Sequence, residues 1–433
     1  MARVPFLLLL FVATAVRSVS GQDLVVPPRL SLDEALRLAK ERNPSLAAAR
    51  NSVEIAESRR IDARVRPNPA VTFESGNYPL FESPHPPFAD NQELTFRVDQ
   101  EIDLAGRRRL RTQAAEAGIT SMEANFQDQQ RRLEFDVRRS YFSVVLAKAD
   151  VEVAQMALEE IDRVISLNRA RHQQGAISGG EVRRIQVERL RFVDDLFNAQ
   201  LALRNTRSTL LALLNAPDLG VEFDVTEALA ANPATATAAS TPPPPQLDPP
   251  SLRTQALALR PDLQAAQREV QRADTETQLQ RALRTPNITV GGGYRRDFGS
   301  NAVVFGVTVP LPLSNRNQGG VARAEAERRQ AANLATAAAT TVLLDVQQAI
   351  NAADVSRARV QYIEREYLTP ARESRDIVLA SYRLGSANLI DFLDAQRAFR
   401  DTVRTYNRAL YDQRVSLFQL TSATGGANAQ VTR

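Results

Sequence analysis

Ser31-Leu-Asp-Glu-Ala-Leu-Arg-Leu-Ala-Lys-Glu-Arg-Asn43-Pro44-Ser-Leu-Ala-Ala-Ala-Arg50 returns later in the chain as Ser251-Leu-Arg-Thr-Gln-Ala-Leu-Ala-Leu-Arg260-Pro261-Asp-Leu-Gln-Ala-Ala-Gln267, with the two prolines 217 residues apart. Two further matches keep the same order. Val98-Asp-Gln-Glu-Ile-Asp-Leu104-Ala-Gly-Arg107 pairs with Val307-Thr-Val-Pro-Leu-Pro-Leu313-Ser-Asn-Arg316, and His172-Gln-Gln-Gly175-Ala-Ile-Ser178 pairs with Tyr382-Arg-Leu-Gly385-Ser-Ala-Asn388, at offsets of 209 and 210. Self-similarity at nearly one offset marks a structural unit used more than once. A chain of 433 residues ordinarily suggests about three domains; these matches point instead to one half-chain duplicated, over 23–229 and 251–421. Between the halves, 230–250 is an Ala, Thr and Pro stretch ending in Thr241-Pro-Pro-Pro-Pro, a linker with almost nothing to build a core. Residues 422–433 form a tail.

Each half reads as helix, strand pair, long helix, turn and shorter helix. Ser31 with Glu34 makes a capping box that opens a helix over 31–66, and Pro67-Asn-Pro69 stops it. Strands follow at 70–78 and 93–104. In the second of them Leu94, Phe96, Val98, Ile102 and Leu104 point one way while Thr95, Arg97, Asp99, Glu101 and Asp103 point the other. From Gly106 the period becomes helical: Leu133, Val137, Tyr141, Val144 and Ala147 begin a seam that recurs every three or four residues to Ile165. This gives a long helix over 106–173 and a returning helix over 180–215. The second half repeats the order with a helix at 251–283, strands at 287–296 and 302–311, a long helix at 317–383 kinked at Pro370, and a helix at 388–421. At 1.5 Å per residue each long arm measures about 100 Å. No compact globule needs two such helices.

Met1-Ala-Arg3, the apolar run Val4–Val16 and the small residues Ser18-Val19-Ser20-Gly21 have the three regions of a secretory signal peptide, 1–22. The chain is therefore expected to be exported, and no other stretch could cross a bilayer as a helix, so it could enter a membrane only as strands. The absence of Cys and the presence of only two His leave little for a metal centre or a nucleophile–base pair. A net charge of +4 supplies no basic block for nucleic acid. His85, alone in a Pro-rich loop, is poor evidence for metal, and His172 reads as solvent-facing. None of the nucleophile, phosphate-loop or zinc-helix motifs occurs, so the chain reads as neither an enzyme nor a cofactor protein.

Four strands per chain, apolar on one face and charged on the other, are too few to close a barrel and cannot lie in lipid with open edges. Copies must assemble. Two would give eight strands with an interior just filled by side chains, whereas three give twelve and leave a wet lumen suited to the charged face. The expected fold is thus mostly α with membrane β: long helical hairpins forming a tube below a trimeric 12-stranded barrel. Such a tube is most simply closed at its far tip. Asp391 and Asp394, three residues apart, share one helical face just past the second turn. In a trimer they would form two stacked rings of carboxylates that attract cations. Their other reading is as solvated carboxylates at a helix N-terminus, where the dipole favours them.

The duplicated Leu-x-x-Ala-Leu…Asn43-Pro44-x-Leu opening, the Pro-Asn before each strand pair, and the tips Gly175-Ala-Ile-Ser178 and Tyr382-Arg-Leu-Gly385-Ser-Ala-Asn-Leu-Ile-Asp391-Phe-Leu-Asp394-Ala-Gln396 resemble the TolC-type outer-membrane efflux family. Leu104-Ala-Gly106-Arg-Arg-Arg-Leu-Arg111 and Pro312-Leu-Ser-Asn315-Arg-Asn-Gln-Gly319 further resemble its heavy-metal branch. The resemblance implies a homotrimeric duct in the outer-membrane lipid that extends into the periplasm. It also implies a periplasmic adaptor and an inner-membrane pump of the resistance-nodulation-division type, with passive export of small molecules or metal ions. By the same resemblance Asp391 and Asp394 line the periplasmic constriction, Glu181 and Tyr382 latch neighbouring hairpins, and Gly175, Ala176, Ile177, Ser178, Gly385, Ser386, Ala387 and Asn388 meet the adaptor. Ala387 stands where drug-efflux relatives carry an arginine, so that salt bridge is missing. The run Arg107-Arg-Arg109 reads as the periplasmic membrane boundary. The alternatives are a duct for type I protein secretion and an exported coiled-coil scaffold.

Overall fold

A computed structural model describes residues 26–76, 81, 92–229 and 248–426. The signal peptide, His85, the 230–247 part of the linker and the end of the tail lie outside the described residues. Ser31 does cap the first helix: its side chain accepts from the Glu34 amide while Glu34 returns to the Ser31 amide. The expected single helix over 31–66 is two helices, α1 (Leu32–Arg42) and α2 (Pro44–Arg64). Pro44 has no N–H to continue α1 but is well suited to the first position of a new helix. Asn43 serves both ends of the break. Its backbone N–H bonds Ala39, its Oδ1 accepts from the amides of Ser45 and Leu46, and its Nδ2 donates to the Leu213 carbonyl at 3.0 Å.

Next come β2 (Ala70–Gly76), β3 (Glu93–Ile102), α3 (Arg107–Gln173) and α4 (Gly179–Leu213). Two residue pairs the sequence gives no sign of, β1 (Arg29–Leu30) and β4 (Asp224–Val225), join as a short parallel ladder. The later part of the chain follows the same element order: α5 (Pro249–Leu259), α6 (Pro261–Ala282), β5 (Ile288–Asp297), β6 (Ser300–Thr308), α7 (Gln318–Ile363), α8 (Thr369–Leu384) and α9 (Leu389–Ala423). Again a proline, Pro261, splits the expected 251–283 helix. At Pro370 the long helix does not stop; a π-helical turn, Glu364–Leu368, separates α7 from α8. Proline cannot donate to the carbonyl four residues back and crowds it, and a wider turn around that carbonyl relieves both problems.

β2, β3, β5 and β6 form one antiparallel sheet in that order. The register sets Phe73, Phe96, Tyr294 and Val303 in one cross-strand row and Val71, Val98, Gly292 and Phe305 in the next. The apolar side chains of these rows are exposed, Phe305 at 87%. Alternation places Thr72, Arg97 and Glu74 on the opposite face. The helices continue the sheet as a wall one helix thick. Beside the strands the neighbours run α2–α3–α6–α7, and farther away α4–α3–α9–α8. Three separate cores lie along this wall. The largest gathers Leu30, Val137, Tyr141, Leu210, Leu214 and Phe418 at mid-height. A second collects Ile161, Ile185, Tyr382 and Phe392 near the tips, and a third Leu252, Val342, Val346 and Leu420. Among the described residues no helix is long and apolar enough to cross a membrane.

Candidate functional site

The chain reverses twice at one end of the wall. The turn after α3 holds Gly175, whose φ of +74° belongs to the left-handed region that suits glycine, and α8 is capped by Gly385 with φ +84°. Each turn closes in the same way: the Ala176 amide bonds the Arg171 carbonyl at 2.8 Å and the Ser386 amide bonds Ser381 at 2.9 Å. Ser178 then caps α4 through the Glu181 amide, and Asn388 caps α9 through the Asp391 amide. The two tips thus carry Gly175, Ala176, Ile177 and Ser178 on one side and Gly385, Ser386, Ala387 and Asn388 on the other, mostly exposed. His172 is exposed, and its Nδ1 lies 3.1 Å from the Ile177 carbonyl inside its own turn.

Asp391 and Asp394 lie on the exposed face of the first two turns of α9, with Phe392 and Leu393 buried behind them. The two carboxylates differ in their bonding. Asp391 completes a capping box by accepting from the Asn388 amide at 3.4 Å, whereas Asp394 meets Arg397 one turn on, at 3.0 Å. Both hold their oxygens at the solvent side. Glu181 occupies the third position of α4 with its amide tied to Ser178.

Tyr382 is 6% exposed and sits inside one chain. Its hydroxyl donates to Asn168 Oδ1 at 2.7 Å and its ring stacks on Phe392 with centroids 5.5 Å apart. Arg171 covers the ring and donates to the carbonyls of Tyr382 and Arg383 at 3.1 and 2.7 Å. Burial pushes the phenol pKa upward against the opposing pull of Asn168 and Arg171, and the Glu181 charge adds to the rise. Asn168 and Arg171 escaped the reading of the sequence. Their signal was weak: a polar residue on an apolar seam, and an arginine in a last turn where free carbonyls need donors.

The geometry is that of a plate with one wet and one greasy strand face, prolonged by helices to tips that carry paired carboxylates. Among the described residues no group of three or more His, Cys, Asp or Glu could hold a metal ion. The chain is 27% identical over 372 residues to the cobalt-zinc-cadmium resistance protein CzcC of Cupriavidus metallidurans, covering 85% of this chain and 83% of that one. It is 25% identical to the pyoverdine export outer membrane protein OpmQ of Pseudomonas putida, over 91% and 86% of the two chains. Its fold matches the MtrE outer membrane channel of Neisseria gonorrhoeae with a TM-score of 0.72, at 20% identity over 91% and 89%. Residues 35–216 and 252–426 match the family described as outer membrane efflux protein, on both sides of the linker. With both halves of the chain so matched, this protein belongs to the outer membrane efflux protein family, as an efflux channel of the outer membrane.

Proposed function

We propose that three copies of a duplicated hairpin unit close side by side into one duct, with a 12-stranded barrel in the outer-membrane lipid and a helical tube in the periplasm. The observation that carries this is the condition of the two edges. Among the described residues β2 and β6 each keep one unpaired side, and unpaired strands cannot face hydrocarbon. On the same two sides the helices expose apolar stripes: Val187, Leu190, Phe197 and Leu201 on α4, and Leu344, Val355 and Ile377 on α7 and α8. Edges of different composition joined head to tail generate a ring when the rotation between copies closes. Twelve strands then leave a lumen for the polar face.

The tips are the surface for a periplasmic adaptor, which couples the duct to an inner-membrane pump that supplies the driving force. Tyr382 serves the closed tip by tying α8 to α3 and α9, with Glu181 beside it. Asp391 and Asp394 line the constriction. The cargo is small solutes with metal cations among them, in keeping with the similarity to a cobalt-zinc-cadmium resistance protein. A double Asp391→Ala, Asp394→Ala variant in planar bilayers tests this reading. Block of the single-channel current by divalent or trivalent cations added on the periplasmic side is expected to weaken by about tenfold, as two rings of charge are removed. Unchanged block removes these residues from the pore.

A further inference from the structure

The polar face of the sheet holds an ion pair in a seat made of glycines. Arg97 and Asp99 are successive residues on that face of β3, and Arg97 Nε lies 2.7 Å from Asp99 Oδ1. Asp99 stands in register with Gly291 of β5, which in turn pairs with Gly306 of β6. A Cβ on Gly291 would lie 1.8 Å from Asp99 Oδ1 and 2.9 Å from Arg97 Nε, and one on Gly306 would lie 2.9 Å from Arg97 Nη2. No side chain fits beneath the pair. The Arg97 guanidinium therefore lies flat on the wall, reaching over β5 to β6, instead of standing up from it as an arginine on an ordinary strand does.

The surroundings give that posture a consequence. On this face of the four described strands five carboxylates stand against only two guanidiniums, Arg97 and Arg295. Arg295 sits near the loop end of the sheet, where it bridges Glu93 and, at 3.2 Å, Asp297. Arg97 is the fixed cation at mid-strand, with its charge set against the wall and its bulk out of the bore.

We infer that Arg97, pressed onto the Gly291–Gly306 floor, sets both the width and the ion selectivity of the barrel lumen. The inference rests on the polar face lining that lumen. The net charge on this face of the described strands is negative by three per chain, so the bore favours cations, and Arg97 moderates that preference without narrowing the passage. Lifted from its seat, the same side chain would project toward the axis in every copy.

Single-channel recordings of the full-length protein in planar bilayers test this with Arg97→Gln, Gly306→Val, and Gly306→Val combined with Arg97→Ala. Arg97→Gln removes the charge and leaves a shorter, neutral polar side chain, and it is expected to raise the cation-over-anion permeability ratio, read from reversal potentials in a salt gradient, by about twofold. Gly306→Val is a strand-compatible change whose added Cβ has the Arg97 guanidinium as its nearest neighbour. It is expected to lower conductance and shift selectivity toward anions, and combining it with Arg97→Ala should restore the conductance. An unchanged reversal potential in Arg97→Gln overturns the inference, as does a conductance loss in Gly306→Val that persists without Arg97. Should the unaltered protein form no channels at all, the duct reading itself falls.

Discussion

Arg260→Ala is expected to destabilise the folded chain by about 3–5 kcal/mol, the usual cost of removing one partner from a buried charge cluster. The side chain of Arg260 is 3% exposed. Its guanidinium donates to Asp262 at 2.9 and 2.5 Å, to Asp345 of α7 at 2.9 Å, and to the Ala423 carbonyl at the end of α9 at 3.3 Å. One residue thus ties the break between α5 and α6 to the long helix α7 and to the end of the returning helix α9. Truncation leaves a half-buried carboxylate and a helix-terminal carbonyl without their donor. Thermal melting in detergent should register a loss of about 5 °C or more.

The same cluster sets an acid limit. Burial by itself would raise the pKa of Asp262, but the Arg260 hydrogen bond and charge, with Arg131 behind them, outweigh it and hold the carboxyl below its ordinary value. A carboxyl depressed in the folded state contributes stability that is complete above its unfolded pKa of about 3.9 and disappears as pH falls through the lower folded value. Melting temperature should therefore decline on acidification below about pH 4. In Asp262→Asn it should start lower at neutral pH and fall less steeply. Equal acid slopes for the two proteins would remove Asp262 from the effect.

How far the sequence reveals this architecture depends on how many residues share a signal. The seam from Val137 to Ile165 repeats over many turns, and Val137, Tyr141, Val144, Ile161 and Ile165 are all buried. The alternation at Leu94, Phe96 and Val98 is similarly redundant, and a slip of one residue would turn a charged face into lipid. Short features carry no such redundancy. β1 and β4 span two residues each, too few for any period. Asn43-Pro44 and Arg260-Pro261 interrupt helices whose apolar pattern continues across them, so periodicity alone runs through both breaks. Their backbones agree closely, with φ −65° and ψ 121° at Asn43 and φ −65° and ψ 118° at Arg260. Both side chains reach the end of the returning helix of their own half, Asn43 to Leu213 and Arg260 to Ala423. An amide and a guanidinium do the same work, an equivalence that residue identity conceals. At the tip the resemblance gives Tyr382 a latching role between neighbouring hairpins, and within the chain its hydroxyl joins α8 to Asn168 of α3. Spacing along the chain does not show that a residue 214 positions away is the acceptor this phenol takes.

Assembly should fail altogether when either edge of the wall is made polar. On α4 the buried residues Val182, Ile185, Phe192 and Ala199 face α3, while Phe197 is 63% exposed and Leu190 68%. At 100° per residue, Val187, Leu190, Phe197 and Leu201 fall within one narrow stripe, and Leu344, Val355 and Ile377 form the matching one on α7 and α8. Burying each large side chain contributes about 1.5–3 kcal/mol, and a carboxylate in its place must instead be stripped of water without a partner. Phe197→Asp leaves the packing of α4 on α3 intact, so helix content by circular dichroism should hold while crosslinked trimers and channel activity disappear. Ile377→Asp lies on the opposite edge and should give the same result. In a head-to-tail ring every contact joins one α4 edge to one α8 edge, so either substitution alone breaks all of the contacts at once. A two-fold pairing would behave otherwise, because it buries the same edge from both partners and leaves the other edge free of consequence. Loss of trimers in both variants therefore supports the closed ring, and a silent phenotype in one of them excludes it.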